Sequence, residues 1–256
     1  GSSFEIDRIL LPLGISFFTF QQIAYLVDAY QGRIMRHGWL EYILFVTFFP
    51  QLIAGPIVHQ SEILPQFLNK IAKVKASHLV IGGTIFILGL FKKVVIADNL
   101  AFYATPMFDA AARGEVITFL EAWGGSLAYT FQLYFDFSGY SDMAIGLARM
   151  FGIMLPLNFD SPYKSTSIID FWRRWHLTLS RFLRDYLYIP LGGSNHGNAR
   201  RYTNLLIVML LGGLWHGAGW TFIFWGGLHG FYLIINHLWR TIKRQLNWDQ
   251  IKPNRL

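Results

Sequence analysis

The sequence predicts an all-α, multi-pass membrane bundle, and three observations carry that reading. Only 14% of the 256 residues are charged, against roughly 25% in an average soluble domain. Hydrophobic residues reach 53% and aromatic ones 17%, with a mean hydropathy of +0.35. Three stretches hold no Asp, Glu, Lys or Arg: Ile9 to Val27 (19 residues), Tyr42 to Ser61 (20) and Tyr202 to Trp239 (38). A spanning helix needs about 20 mostly apolar residues, and the longest stretch suffices for two passes. Lipid offers backbone amides no partners, so such runs form helices. A transmembrane barrel would instead show roughly ten-residue segments alternating apolar and polar.

Segment one, Ile9 to Val27, carries Gln21 and Gln22, which are expected to face other helices or a cavity rather than lipid. Segment two, Trp39 to Val58, is broken by Pro50 and by Gly55-Pro56, giving a kinked span or a re-entrant pair. Residues 62 to 76, with Lys70, Lys73 and Lys75, read as an interfacial helix or loop. Segment three runs from about His78 to Phe102, with Lys92-Lys93 marking an interface or a wet interior; residues 104 to 115, with Pro106 and Gly114, read as a loop. Segment four runs from about Val116 to Phe135 and leads into FDFSGYSDMAIG, 135 to 146. Leu155 to Tyr163 is irregular.

SIIDFWRRWHLTLSRFLRDYLYIPLGG, 167 to 193, reads as one amphipathic helix too charged to cross a bilayer. On a helical wheel Phe171, Trp172, Trp175, Leu179 and Phe182 share an arc of roughly 160°, with Asp170, Arg173, Arg174, Arg181 and Asp185 opposite. Asp170 with Arg174 and Arg181 with Asp185 are i,i+4 pairs. Gly192 to Arg201 is a basic turn, and Gly217-Ala218-Gly219 breaks the 38-residue run into two spans. Arg240, Lys243, Arg244 and Lys252 form a basic tail. Residues 1–256 read as a single membrane-embedded domain, the central catalytic part of a longer chain.

The net charge of +7 fits basic cytoplasmic loops. Nucleic-acid binding is disfavoured because the basic residues are scattered between spans. The absence of cysteine excludes disulfides and a cysteine nucleophile. No metal-ligand spacing, G-x-S-x-G elbow or Walker loop is present.

Of eight histidines, His37 and His196 sit in polar loops, and His59, His78 and His237 near segment ends. His216, in GGLWHGAGW, sits inside the longest apolar run. It is either a buried histidine bonding a carbonyl or an ionisable group lining a reaction channel. Gly212, Gly213 and Gly217 are expected to leave space around it for substrate. His176 lies near the edge of the apolar arc of the wheel, where a core role is the plainer reading. His229, in WGGLHG, is flanked by Gly226, Gly227 and Gly230, which favour close helix packing. Asp136 and Asp142 enter and leave FSGYS, with capping and substrate roles both open.

FDFSGYSDMAIGLARMFGI, DFWRRWHLTLSRFLRDYLYIPLGG and LLGGLWHGAGWTFIFWGGLHG, in that order, resemble the membrane-bound O-acyltransferase (MBOAT) family. The similarity is strongest to its bacterial branch, the alginate O-acetyltransferase membrane subunit and the peptidoglycan O-acetyltransferases. LPLGISFFTFQQIAYLVDAY and FFPQLIAGPI fit the same branch, so the resemblance runs from about Ile9 to about Trp239. It implies a multi-pass helical enzyme of the bacterial inner membrane that passes an acyl group, acetyl in most of the branch, from a cytoplasmic donor toward an extracytoplasmic polysaccharide or partner-protein hydroxyl. The implied donor is acetyl-CoA or an acyl carrier protein, used as substrate, with no tightly bound cofactor and no metal. A periplasmic SGNH-type acyltransferase is an implied partner, and membrane lipid surrounds the chain.

By the same resemblance His216 is the catalytic histidine and His176 a second functional one. His229, Trp215 and Asp136 are counted with the substrate-binding positions. His216 is expected to act as general base on the acceptor hydroxyl. Arg173, Arg174 and Lys164 are expected to attract donor phosphates. The rival classes are a transporter or channel lined by these histidines, and a non-catalytic scaffold for a periplasmic transferase.

Overall fold

The computed structural model describes residues 14–34, 36–53, 55–68 and 75–247. Residues 9–13, Lys70, Lys73 and Lys252, which figure in the reading above, lie outside them. All regular structure among the described residues is helical, without a strand. The chain divides into two compact units, residues 1–158 and 159–256.

Unit 1 begins with α1 (Ile15–Tyr30). The break expected at Pro50 appears as α2 (Trp39–Thr47) followed by the short α3 (Phe49–Leu52), with Phe48 extended between them. Pro50 sits in the first turn of α3, where its missing N–H costs nothing. Both buried glutamines of this region are used: Gln21 and Gln51 each donate through Nε2 to the Phe45 carbonyl, at 3.1 and 2.9 Å. α4 spans Gln60–Leu68. Its Ile63 and Leu64 join Phe45, Val58, Ala144, Ala148, Ile153 and Leu155 in the buried core of the unit.

The third segment is longer than expected. α5 (Ala76–Leu90), a π-helical turn (Phe91–Ala97) and α6 (Asp98–Ala112) form one continuous helix of 37 residues. Among the described residues it alone combines the length and apolar composition of a membrane span in that measure. Residues 104 to 112 are therefore helix, not loop, and Pro106 sits inside it. Proline is tolerated within apolar helices because local adjustment re-satisfies the freed carbonyl. The fourth segment also runs on, as α7 (Phe119–Met150), a 32-residue helix that absorbs FDFSGYSDMAIG whole. Thr118 and Glu121 start it with a reciprocal capping box.

α5 and α7 approach through glycines seven apart on each helix. A β-carbon at Gly82 would lie 2.6 Å from the Gly146 carbonyl, and one at Gly89 2.6 Å from that of Gly139. Two ion pairs tie the same helices: Lys92 to Asp142 at 2.6 Å, and Lys93 to Asp136 at 2.5 Å, with Asp98 on Lys93 at 2.7 Å.

Unit 2 holds a 3₁₀ turn (Pro162–Lys164), α8 (Ile168–Trp172), α9 (Leu177–Leu183), a π turn (Arg184–Tyr188), α10 (Gly197–His216) and α11 (Trp220–Gln245). The single amphipathic helix expected over 167–193 is thus broken at residues 173–176, with α9 running on into the π turn. α10 and α11 form a hairpin whose turn falls at Gly217-Ala218-Gly219, as the charge-free run suggested. Gly213 and Gly226 meet at the crossing: a β-carbon on either would collide with the other helix's backbone.

Candidate functional site

The wheel that placed His176 on an apolar arc does not apply, because the chain turns there. His176 takes left-handed backbone angles, φ 43° and ψ 54°, rare for a residue with a β-carbon. That conformation costs about 1–3 kcal/mol and persists only where surroundings impose it. Arg174 bonds to residues beside the turn. Its Nε donates to Asp170 at 3.0 Å, its Nη1 lies 3.6 Å from the Asp160 carboxylate, and its carbonyl accepts from the Asp160 N–H at 2.9 Å. The expected Asp170–Arg174 pair is therefore real and braces the turn. The His176 carbonyl then opens α9 by accepting from Ser180 at 2.9 Å.

The turn drives the His176 imidazole inward, where it is 1% exposed and stacked on Phe159 at 6.2 Å. Burial, helped by the neighbouring His216, pushes its pKa down to about 3, so the ring is neutral at physiological pH.

His216 is the last residue of α10, exposed where the helix gives way to the glycine turn. Trp215 lies beside it at 4.8 Å between ring centroids. Trp225, one turn into α11, presents its edge at 5.1 Å and also contacts His229 at 4.7 Å. Trp172, at the end of α8, closes on His229 at 5.3 Å and on Trp225 at 6.0 Å. The three histidines singled out from the sequence are therefore gathered in unit 2, and Trp225 links His216 to His229.

Two polar atoms in this group are shielded without being used. His229 Nδ1 and Trp172 Nε1 are buried and have no hydrogen-bond partner among the described residues. Most buried polar atoms are paired, and these two unpartnered ones lie side by side in one aromatic cluster.

The glycines around His216 do a different job from the one expected. Gly213 brings α10 onto α11, and a β-carbon at Gly217 would strike the Phe222 ring. They serve close packing, as Gly226 and Gly230 do around His229, and the exposure of His216 comes from its place at the helix end.

The remaining expected positions divide. Arg173 is exposed and lines a cavity of about 330 Å³ together with Trp172. Arg174 is engaged by carboxylates in the brace, and Lys164 is exposed. Asp136 belongs to unit 1, where Lys93 holds it, while the histidine cluster is made wholly of unit 2 residues. Asp185 takes Arg184 at 2.7 Å. Trp172 and Trp225 were not singled out from the sequence, although their place one turn from His176 and His229 was the available signal. Among the described residues no group of three His, Asp or Glu is placed to hold a metal ion.

The model of the membrane-bound O-acyltransferase family matches residues 8–252. The chain is 51% identical to a peptidoglycan O-acetyltransferase of Helicobacter pylori, over 98% of this chain and 52% of that protein. It is 48% identical to a probable alginate O-acetylase of Azotobacter vinelandii, over 93% of this chain and 46% of the relative. A teichoic acid D-alanyltransferase of Streptococcus thermophilus is 30% identical over 96% of this chain and 61% of its own length. The chain thus spans about half the length of the first two.

Proposed function

Because the chain belongs to the membrane-bound O-acyltransferase family, we propose that it carries the acyl-transfer centre of an O-acetyltransferase acting on a cell-envelope polysaccharide. The observation that carries this reading is the gathering of accessible His216, buried neutral His176 and tryptophan-walled His229 in one unit. Relatives named for peptidoglycan and alginate acetylation support a polysaccharide acceptor.

His216 takes the proton of an acceptor hydroxyl as its oxygen attacks the thioester carbonyl. The new C–O bond forms, the C–S bond breaks, and the imidazolium returns the proton to the departing thiolate. General-base assistance of this kind supplies roughly 10²–10⁴-fold. His176, fixed by its strained turn, orients His216 from the buried side. Acetyl-CoA or an acyl carrier protein supplies the acetyl group from the cytoplasm. The acceptor hydroxyl lies outside, on the polymer or on an SGNH-type partner.

The surrounding architecture is multi-pass in the bacterial inner membrane. The 37-residue helix and the charge-free α10–α11 hairpin support that topology. The family match runs across both units, which supports treating them as one catalytic domain. The test is transfer of labelled acetyl from acetyl-CoA to polymer by the full-length protein in membranes. A His216→Ala protein that is expressed normally and turns over at the wild-type rate would remove His216 from the role of base.

A further inference from the structure

His216 ends α10, and its own helix offers the imidazole little support. A helical side chain leans back over the residues three and four before it, and for His216 these are Gly213 and Gly212. The next residue, Gly217, has φ 173° and ψ 149°, so no following turn of α10 covers the ring from the other side. Among the described residues no hydrogen bond fixes either ring nitrogen. The ring's contacts are aromatic: Trp215 at 4.8 Å and 60°, and Trp225 of α11 at 5.1 Å and 86°. Trp215 belongs to the same helix end, so Trp225 is the contact that ties the ring to a second element.

Trp225 is itself held in place. Its neighbour Gly226 lies against the α10 backbone at the hairpin crossing: a β-carbon there would stand 3.2 Å from the Gly213 Cα and collide with the Met209 carbonyl. That close approach sets the register of α11 against α10, and with it the height of Trp225 beside His216. The indole is flanked by His229, one turn on, at 4.7 Å and 54°, and by Trp172 of α8 at 6.0 Å and 69°. Residues of α8, α10 and α11 thus box in the ring that meets His216. An edge-to-face or tilted aromatic contact of this kind biases a ring's placement by roughly 2–10-fold.

Resting on the reading of His216 as the general base, we propose that Trp225 is a positioning residue for acyl transfer. It acts through His216, holding the imidazole in the orientation from which its lone-pair nitrogen meets the acceptor hydroxyl. His176 orients the base from the buried side and Trp225 from α11. A base must stand within hydrogen-bond reach of the proton it takes, and a displacement of about 1 Å costs on the order of 10²-fold. A hydrogen bond to the second ring nitrogen is the usual means of fixing an imidazole. Here the packed indole takes that part.

The experiment measures labelled acetyl transfer from acetyl-CoA by the full-length protein in membranes, each rate divided by the amount of folded protein. Trp225→Leu is expected to lower kcat roughly 10-fold, between the bias of one aromatic contact and the cost of a full ångström, with KM for acetyl-CoA within about twofold of wild type. Trp225→Phe, which restores a ring, is expected to recover at least about a third of the wild-type kcat. The solvent deuterium isotope effect on kcat separates positioning from loss of fold. A displaced base makes proton transfer more limiting and raises the effect, whereas a smaller folded fraction leaves it at the wild-type value. If Trp225→Leu folds poorly, Trp225→Met fills the space without a ring and takes its place. In a double-mutant cycle, Trp225→Leu is expected to change the residual rate of His216→Ala by less than about twofold. Wild-type kcat without the indole, a Phe variant no better than Leu, an unchanged isotope effect, or the same fold-loss with and without His216 each overturns the proposal and leaves His216 as the base. Wild-type turnover by His216→Ala alone removes the base, and the positioning role with it.

Discussion

In unit 1, Lys92 and Lys93 each meet a carboxylate within 2.7 Å, and the glutamines Gln21 and Gln51 reach a carbonyl that their neighbourhood leaves open. In unit 2, Arg173 and Arg201 lie beside a cavity without a carboxylate, His229 and Trp172 bury polar atoms without partners, and His176 sits in a strained turn. Both units use glycines to bring long helices into contact. Both also bury polar atoms without partners, Gln60 Oε1 and Ser138 Oγ among them in unit 1. They differ in what their charges meet. In unit 1 the paired lysines tie helices together. In unit 2 the strained turn and the unpartnered Trp172 and His229 atoms fall among the residues of the candidate site, where perturbed groups and stored strain concentrate.

If that contrast is sound, substitutions in unit 2 should move rate more than fold, and those in unit 1 fold more than rate. The largest expected effect is His216→Ala. Acetyl transfer by the full-length protein should fall roughly 10²–10⁴-fold with the unfolding midpoint nearly unchanged, since the side chain is exposed. A large loss of stability instead would blur the division.

His176 tests the opposite edge of unit 2, where a site residue is also buried. Its folded pKa of about 3 lies below the ordinary value of 6.5. Between those values the unfolded chain takes up a proton that the folded chain refuses. Stability from this residue is therefore complete above about pH 6.5 and is lost as pH falls toward 3. Chemical denaturation from about pH 7.5 to about 4.5 should show a steeper acid loss for wild type than for His176→Gln. Parallel curves would mean that the imidazole is not held neutral.

For unit 1, Gly89→Leu should cost about 1–3 kcal/mol by forcing α5 from α7 at the Gly139 carbonyl. Lower yield and unfolding midpoint, with specific activity of the surviving protein close to wild type, is the expected pattern. The smallest effect is expected from exchanging the partly exposed pair as Lys92→Asp with Asp142→Lys. The double variant should recover at least half of the stability that Lys92→Asp alone removes, read from midpoints in a double-mutant cycle. No recovery would mean that the pair contributes through packing rather than charge.

The sequence was most informative where a candidate residue sits against its surroundings. His216 stood out as a polar group in an apolar run, and the motif that holds it, with the two upstream, pointed to one family. The α10–α11 break was legible from its glycines. The turn at His176 was not, because DFWRRWHLTLSRFLRDY satisfies a helical wheel, while the turn's contacts with Asp160 and Phe159 lie outside the window of any wheel. Pro106 misled in the other direction: it suggests a loop, yet the helix runs through it. The Arg201–His237 contact spans 36 residues and needs the hairpin register before it can be seen. The role of Gly213 and Gly217 was inverted for the same reason, since what a missing β-carbon admits depends on the facing helix.

The π turn at Phe91–Ala97 gives the long helix an unusual relation to insertion and deletion. A wider turn accommodates one residue more than an α-helical path of the same rise, and it lets adjacent Lys92 and Lys93 both reach carboxylates of α7. Removing one residue from this stretch would leave a chain still able to form an unbroken helix. The stretch would then close into α-helix while Asp98 to Ala112 keep their phase relative to α5, because the wider turn is what absorbs the extra residue. Met107 would stay over Gly125 on α7. The cost of such a deletion falls on the ion pairs, since Lys92 and Lys93 would no longer both reach Asp142 and Asp136.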